Sequence, residues 1–264
     1  MRLRASWFAA LPMSVLLCLV YPAHAQDVTI DFTGVANTNV QVLGAYAGYY
    51  TGTVTANGVT TAANPGFICD DYNNEIFLPS ESWQATATSF ASLATSASAL
   101  NSTFFGSTIG QSGYAAIAYL ANLMSVTPAS GQADISAAIW FIGSLNSTNP
   151  VPFSSLDATA QGYVNYLLGD STTAGLYDGT DGFSSTADTM ALSELESSSL
   201  WLYTPTGQDI DPAGDPTPQE FVANVAVLPV PEGGAPWLYL LLAAFAFCRA
   251  VVMRRGLKPV RIIA

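Results

Sequence analysis

The chain has 264 residues, of which 50% are hydrophobic and only 10% are charged, and its 7 basic and 19 acidic side chains give a net charge of -12 at pH 7. No Lys or Arg occurs between Arg4 and Arg249, and the single histidine is His24. A surface without cations repels phosphate, so the composition excludes nucleic-acid binding. It also excludes catalysis that depends on a His base, a Schiff-base Lys or an Arg clamp anywhere in the long central part of the chain.

Residues 1–25 have the three parts of a secretory signal peptide. Arg2 and Arg4 form a short positive region, an apolar run follows, and the small residues Ala23 and Ala25 occupy the positions that a signal peptidase requires. We therefore predict export by the Sec route with cleavage after Ala25. A retained membrane helix is the alternative, which the short apolar run disfavours.

The other end of the chain predicts a transmembrane helix over residues 235–253. The run 235–252 is apolar apart from Arg249, and at 1.5 Å per residue it covers roughly 27 Å, enough to cross a bilayer core. Arg249 lies near the basic end, where its side chain can reach the headgroups. The tail 254–264 is basic and stays in the cytoplasm by the positive-inside rule, which places the acidic body outside.

A Pro-Glu motif at residues 230–234 stands directly before this helix, as Val230-Pro231-Glu232-Gly233-Gly234. The succession of motif, apolar helix and arginine pair resembles the PEP-CTERM sorting signal of Gram-negative bacteria that make exopolysaccharide, with Gly233 where the family has a second proline. The resemblance implies that an exosortase-like membrane peptidase handles the segment 228–264. In that scheme Val230, Pro231, Glu232 and Gly233 form the sorting motif, and Arg254 and Arg255 form the basic stop. A plain membrane anchor is the alternative.

Residues 26–227 are predicted to form one exported domain, a length that buries roughly 70% of the unfolded chain's surface. Asn57-Gly58 is the strongest hairpin signal in the chain. Alternation of apolar and polar residues predicts about six strands, in the ranges 28–32, 41–55, 83–90, 199–204 and 220–227.

Apolar residues at helical spacing predict about three helices. The first covers 114–124 with Ile117, Leu120, Ala121 and Met124 on one face, and the second covers 134–145 with Ile135, Ala138, Ile139 and Ile142. The third covers 155–168 and is expected to bury Leu156, Tyr163, Tyr166 and Leu167. Asp134 and Ser155 are expected to cap the second and third helices, and Gly169 to end the third. The Ser/Thr-rich segment 85–103 is expected to be ordered but weakly specified. Strands and helices do not alternate regularly, so we predict an α+β domain with an antiparallel sheet.

Cys69 is the only cysteine left in the exported body once the signal peptide is removed, because Cys248 lies in the predicted membrane helix. Its surroundings, Phe67-Ile68-Cys69-Asp70, together with Ser136-Ala137-Ala138-Ile139-Trp140, resemble surface thioester domains. In that family a cysteine in a strand joins a helical glutamine in a Thr-Gln-x-Ala-x-Trp motif. Cys69 and Trp140 match the motif, but Ser136 stands at the glutamine position and has no amide to condense with a thiol. We therefore predict a degenerate site with a buried, free thiol.

Acidic residues are the other side chains that could bind a metal ion or act in catalysis. The clusters 178–182 and 209–215 are interpreted as solvated turns, with calcium binding as the alternative. Asp70, Asp71, Glu75 and Glu81 form the nearest approach to a glycosidase carboxylate pair. We predict no cofactor and no resident metal.

Together these features predict a non-enzymatic surface or extracellular-matrix protein. The resemblance implies sorting by an exosortase-like peptidase after transient anchoring in the inner membrane, and association with exopolysaccharide in a biofilm. A permanently anchored adhesion domain is the first alternative, and a carboxylate-pair glycoside hydrolase is the second.

Overall fold

The computed structural model describes residues 25–74, 81–145, 147–168, 198–206 and 218–225. Nine β-strands lie in this part of the chain: β1 Gln26–Val35, β2 Gln41–Val42, β3 Ala45–Tyr46, β4 Tyr49–Ala56, β5 Val59–Ala62, β6 Phe67–Cys69, β7 Ser82–Ser89, β8 Trp201–Pro205 and β9 Phe221–Ala223. Five α-helices accompany them: α1 Phe90–Thr95, α2 Ala97–Asn101, α3 Gly106–Val126, α4 Ala129–Gly143 and α5 Ala158–Leu168. The predicted α+β class with an antiparallel sheet is confirmed.

Six of the strands close into a barrel. Their order is β1-β7-β8-β9-β6-β4, and β4 returns to pair with β1, while β5 is attached to β4 alone. Strand β1 is long enough to serve both ends of the sheet. It pairs with β7 over Gln26–Asp31 and with β4 over Thr29–Val35. The register shifts between Phe32 and Gly34, and a bulge of this kind bends a strand so that a sheet can close. The sequence predicts the antiparallel sheet but not its closure.

Aromatic side chains fill the barrel. The ring of Phe32 lies 4.8 Å from that of Phe67, 4.8 Å from Trp83 and 4.6 Å from Phe221, measured between centroids. Because side chains alternate along a strand, the neighbours of these residues point out of the barrel. Ile68, Leu202 and Val222 belong to a second apolar core shared with the helices.

Helices α3, α4 and α5, together called the helical layer, share this second core. Helix α4 contacts β2 and β6, and α3 and α5 both pack against α4. The residues predicted to share a face of the first helix, Ile117, Leu120, Ala121 and Met124, are all buried. The prediction for the second helix is also confirmed, because Ile135, Ala138, Ile139 and Ile142 are buried. The predicted helix start at Asp134 is wrong, since α4 begins at Ala129, directly after Pro128.

The Ser/Thr-rich segment ends in two short helices that the sequence analysis missed. The Oγ of Ser89 accepts a hydrogen bond from the Ser92 backbone N–H at 3.2 Å and caps α1, and Ser96 caps α2 in the same way through Ala99 N–H at 3.2 Å. Serine is a preferred N-cap because its hydroxyl replaces the missing helical acceptor. The count of about three helices is therefore corrected to five in the described part of the chain.

The third predicted helix also starts later than expected. A 3-10 turn covers Phe153–Ser155, and α5 begins at Ala158 with Asp157 Oδ1 accepting from Ala160 N–H at 2.8 Å. Tyr166, predicted to be buried, is 58% exposed. The expected cap Gly169 lies outside the described residues.

The Asn57-Gly58 hairpin is confirmed between β4 and β5. Both residues have positive φ, 51° and 77°, which is the backbone of the tight hairpin turn that an Asn-Gly pair favours. Of the described helices, none is long and apolar enough to cross a membrane. The predicted transmembrane helix 235–253 lies outside the described residues.

Candidate functional site

Helix α4 contacts the barrel through three positions on one face. Ser136 Oγ accepts a hydrogen bond from Gly48 N–H at 2.9 Å, and Trp140 Nε1 donates to the backbone oxygen of Cys69 at 3.0 Å. One turn further, a Cβ on Gly143 would lie 2.3 Å from the Asp70 backbone oxygen, so only glycine permits this approach. The spacing of four and three residues places all three contacts along one stripe of the helix.

Cys69 and Trp140, the two residues that match the thioester-like motif, are therefore in contact. Trp140 is fully buried, and its ring lies 5.4 Å from that of Tyr72. The indole N–H satisfies a carbonyl at the end of β6, where the strand's own ladder stops. The described geometry gives Trp140 the role of joining helix α4 to this strand.

The thiol of Cys69 is free and buried. It donates a hydrogen bond to the Asp71 backbone oxygen at 2.9 Å. Burial raises the pKa of this thiol well above its usual range, and the Asp71 and Asp70 carboxyls raise it further. Since the thiolate is the nucleophile, this environment suppresses the reactivity of Cys69.

Ser136 lies at the position where the resembling family carries glutamine. Its side chain is 1% exposed and its oxygen is engaged by Gly48, whose φ of 77° turns the chain between β3 and β4. A serine that accepts a backbone hydrogen bond in the core fixes this turn against α4. The hydrogen bond of Ser136 therefore holds helix α4 to the turn before β4.

Glu220 forms the centre of a buried polar cluster that the sequence analysis missed. It directly precedes β9 and is 0% exposed. Its Oε1 accepts from the Tyr114 hydroxyl at 2.6 Å, and its Oε2 accepts from Phe104 N–H at 3.1 Å and from the Thr204 hydroxyl. Burial raises the pKa of the Glu220 carboxyl to about 7, although the three hydrogen bonds act in the opposite direction. One carboxyl thus joins β8, β9 and the start of α3.

Asp70 faces Glu220 and is also 0% exposed. Neither oxygen of its carboxyl receives an N–H or O–H from a described residue, and its neighbour is the Glu220 carboxyl. Burial, followed by repulsion from Glu220 and Asp71, raises the pKa of Asp70 well above its usual range. The two residues also meet through their backbones, because Asp70 N–H donates to the Glu220 backbone oxygen at 3.4 Å.

The carboxylate of the adjoining Asp71 accepts hydrogen bonds from nearby amides. Its carboxylate accepts from Asn73 N–H at 3.0 Å and from the Asn74 side-chain amide. Gln219 Nε2 donates to the Asp71 backbone oxygen at 3.1 Å and to the Asn74 backbone oxygen. These contacts fold the chain after β6 back onto the strand end of β9.

The acidic residues considered for glycoside hydrolysis are not gathered on an accessible surface in the described structure. Asp70 and Asp71 are buried. Glu81 directly precedes β7, and its backbone oxygen accepts from Phe32 N–H at 2.8 Å. Glu75 lies outside the described residues. In the described ranges, no three His, Cys, Asp or Glu side chains are placed to hold a metal ion.

The sorting motif Val230 to Gly233, the arginines Arg254 and Arg255, the acidic clusters 178–182 and 209–215, and Ala23 at the signal cleavage site lie outside the described residues. Ala25 is exposed and directly precedes β1. No protein-family model matches the chain, and neither a curated protein nor a solved structure matches it.

Proposed function

We propose that this chain is an exported, non-enzymatic protein of the cell surface or extracellular matrix, and that an exosortase-like peptidase processes its C-terminal segment. One observation carries the proposal: the Pro231-Glu232 pair, an apolar span and the Arg254-Arg255 pair follow one another in that order, in a chain that begins with a signal-peptide pattern. Proline keeps the residues before the span extended, which suits a peptidase that cleaves beside the membrane.

The buried polar side chains of the domain make contacts that support a structural role for them. Ser136 joins α4 to the turn before β4, and Glu220 joins the end of the sheet to α3. The buried Cys69 thiol donates to the Asp71 backbone oxygen just beyond its own strand. A nucleophile needs a lowered pKa or an adjacent base, whereas burial raises the pKa of Cys69. The charge distribution likewise supports an extracellular setting, because a chain with 19 acidic residues stays soluble through repulsion.

An exposed tyrosine packed beside a partly buried one supports contact with polysaccharide. Tyr166 on α5 is 58% exposed, and its ring lies 6.0 Å from that of Tyr119 on α3 at an angle of 37°. Tyrosine combines an apolar face, on which a sugar ring can stack, with a hydroxyl for hydrogen bonding. We infer that this tyrosine pair contacts matrix glycans.

A binding assay tests the glycan contact. Tyr166→Ala should reduce retention of the purified protein on exopolysaccharide from the producing cells, whereas Tyr46→Ala, which removes another exposed tyrosine on β3, should not. Equal retention of both variants and the wild-type protein would show that the tyrosine pair does not contact the polysaccharide.

Cell fractionation tests the sorting step. In the wild-type strain the protein should leave the inner membrane with time, and the double variant Pro231→Ala, Glu232→Gln should accumulate there. Pro229→Ala is the matched control, since it removes a neighbouring proline and keeps the Pro-Glu pair. If both variants and the wild type stay in the inner membrane, the alternative of a permanently anchored adhesion domain is correct.

A further inference from the structure

The charge distribution of the chain restricts which polysaccharides can approach the tyrosine pair, Tyr119 and Tyr166. All 19 acidic residues lie between residues 27 and 232, and no Lys or Arg occurs between Arg4 and Arg249. A glycan that carries uronate, sulfate or phosphate groups is therefore repelled, for the same reason as nucleic acid. A glycan that carries protonated amines is attracted instead. The charge thus favours an amine-bearing glycan over an anionic one.

The surface of α5 next to Tyr166 is open. Residues four apart lie on the same side of a helix, so Gly162 is the neighbour of Tyr166 one turn earlier. Gly162 is exposed, and a Cβ built on it would meet no atom within 4 Å. No side chain therefore extends from this turn beside the tyrosine, and a ligand can approach the exposed part of its ring.

A row of apolar side chains extends from the tyrosine pair along α3. Tyr119, Leu123 and Val126 are spaced by four and three residues, which places them on one side of the helix. Tyr119 and Leu123 are partly buried, and Val126 is 78% exposed. From Tyr119 to Val126 the row is roughly 10 Å long. An extended oligosaccharide, whose rings present apolar C–H faces, can therefore contact more than one of these side chains at once.

We propose, on the basis of the glycan contact inferred above, that the ligand of the tyrosine pair is an amine-bearing polysaccharide, such as a polymer of deacetylated amino sugars. A protonated amine close to a tyrosine ring is attracted to the negative face of the ring. The carboxylates of the domain attract the same polymer. Asp157, at the start of α5, is exposed and lies roughly 14 Å along the helix from Tyr166. An extended polymer of amino sugars can reach both residues.

A matched pair of oligosaccharides tests this ligand chemistry. A short glucosamine oligomer carries an amine on each ring, and N-acetylation of the same oligomer removes the charge but keeps the rings. In mildly acidic solution, where the amines are protonated, the protein isolated from the producing cells should bind the amine form about tenfold more tightly than the acetylated form. Added salt should reduce this preference, because it screens the charges.

Tyrosine variants place the ligand on the protein. Tyr166→Ala should weaken binding of the amine form by about fivefold, because the ring contributes both stacking and attraction to the amine. Tyr46→Ala is the matched control, since Tyr46 is 41% exposed on β3 and lies outside the pair. Its affinity for the amine form should equal that of the wild type.

These measurements separate the amine preference from the glycan contact itself. Equal affinity for the two forms, lowered by Tyr166→Ala in each case, would overturn the amine preference and leave the glycan contact intact. Binding of neither oligomer, nor of the exopolysaccharide from the producing cells, would overturn both. If Tyr166→Ala and Tyr46→Ala bind the amine form equally well, the polymer is adsorbed by charge alone and its assignment to the tyrosine pair is wrong.

Discussion

Removal of the Tyr114 hydroxyl tests the assignment of Glu220 as the central acceptor between the barrel and the helical layer. The Tyr114 hydroxyl donates to Glu220 Oε1 at 2.6 Å in a fully buried setting. A hydrogen bond to an ionised carboxylate contributes about 2 kcal/mol, and one to a neutral carboxyl about 1 kcal/mol. Tyr114→Phe should therefore cost about 2 kcal/mol well above pH 7 and about 1 kcal/mol well below it.

The pH dependence of that cost follows from the protonation state of Glu220. The bond from Tyr114 lowers the pKa of Glu220 against the larger effect of burial. The extra stabilisation is therefore present above the folded pKa of about 7 and is lost as the pH falls through it. A difference of about 1 kcal/mol corresponds to roughly 0.7 unit, so the variant should raise the pKa of Glu220 by that amount.

The assay is urea denaturation on both sides of neutral pH, with Tyr72→Phe as the matched control. Tyr72 donates its hydroxyl to the Leu43 backbone oxygen at 3.0 Å, a neutral acceptor. This control should lose about 1 kcal/mol at every pH in the range. If Tyr114→Phe shows the same cost on both sides of neutrality, Glu220 does not ionise in that range. If it shows no cost at either pH, Glu220 is not the acceptor that joins the barrel to α3.

Two other substitutions have equally direct outcomes. Trp140→Phe leaves the Cys69 backbone oxygen without its donor and should cost about 2 kcal/mol in urea denaturation, and unchanged stability would show that the indole hydrogen bond does not join α4 to β6. Asp157→Ala should cost about 1 kcal/mol by removing the cap of α5, whereas Asp157→Asn keeps a capping oxygen and should cost only a few tenths; equal costs for the two variants would contradict the cap.

The sequence predicts those parts of the fold that depend on near neighbours. The turn at Asn57-Gly58 follows from the backbone preferences of two residues, and the buried faces of α3 and α4 follow from apolar spacing within each helix. The start of α4 was misplaced because Asp134 has the chemistry of a cap but lies inside the helix. The caps Ser89 and Ser96 were missed because they stand among many other serines and threonines.

The polar cluster depends on contacts that no local pattern encodes. Glu220 and Tyr114 are 106 positions apart, and their contact depends on closure of the barrel through β8 and β9. The thioester-like motif singled out Cys69 and Trp140, which lie in contact, but it gave no information on Glu220. The one available signal was a glutamate directly before an apolar strand in a chain that offers no basic partner.

The measurement that tests the central claim most directly is the intact mass of the protein isolated from the producing cells, compared among inner-membrane, outer-envelope and medium fractions. We predict that the envelope or medium form begins at Gln26 and ends near Pro231-Glu232, with the predicted helix and arginines removed. Recovery of a single form that ends at Ala264 and is confined to the inner membrane would contradict processing and leave an anchored domain.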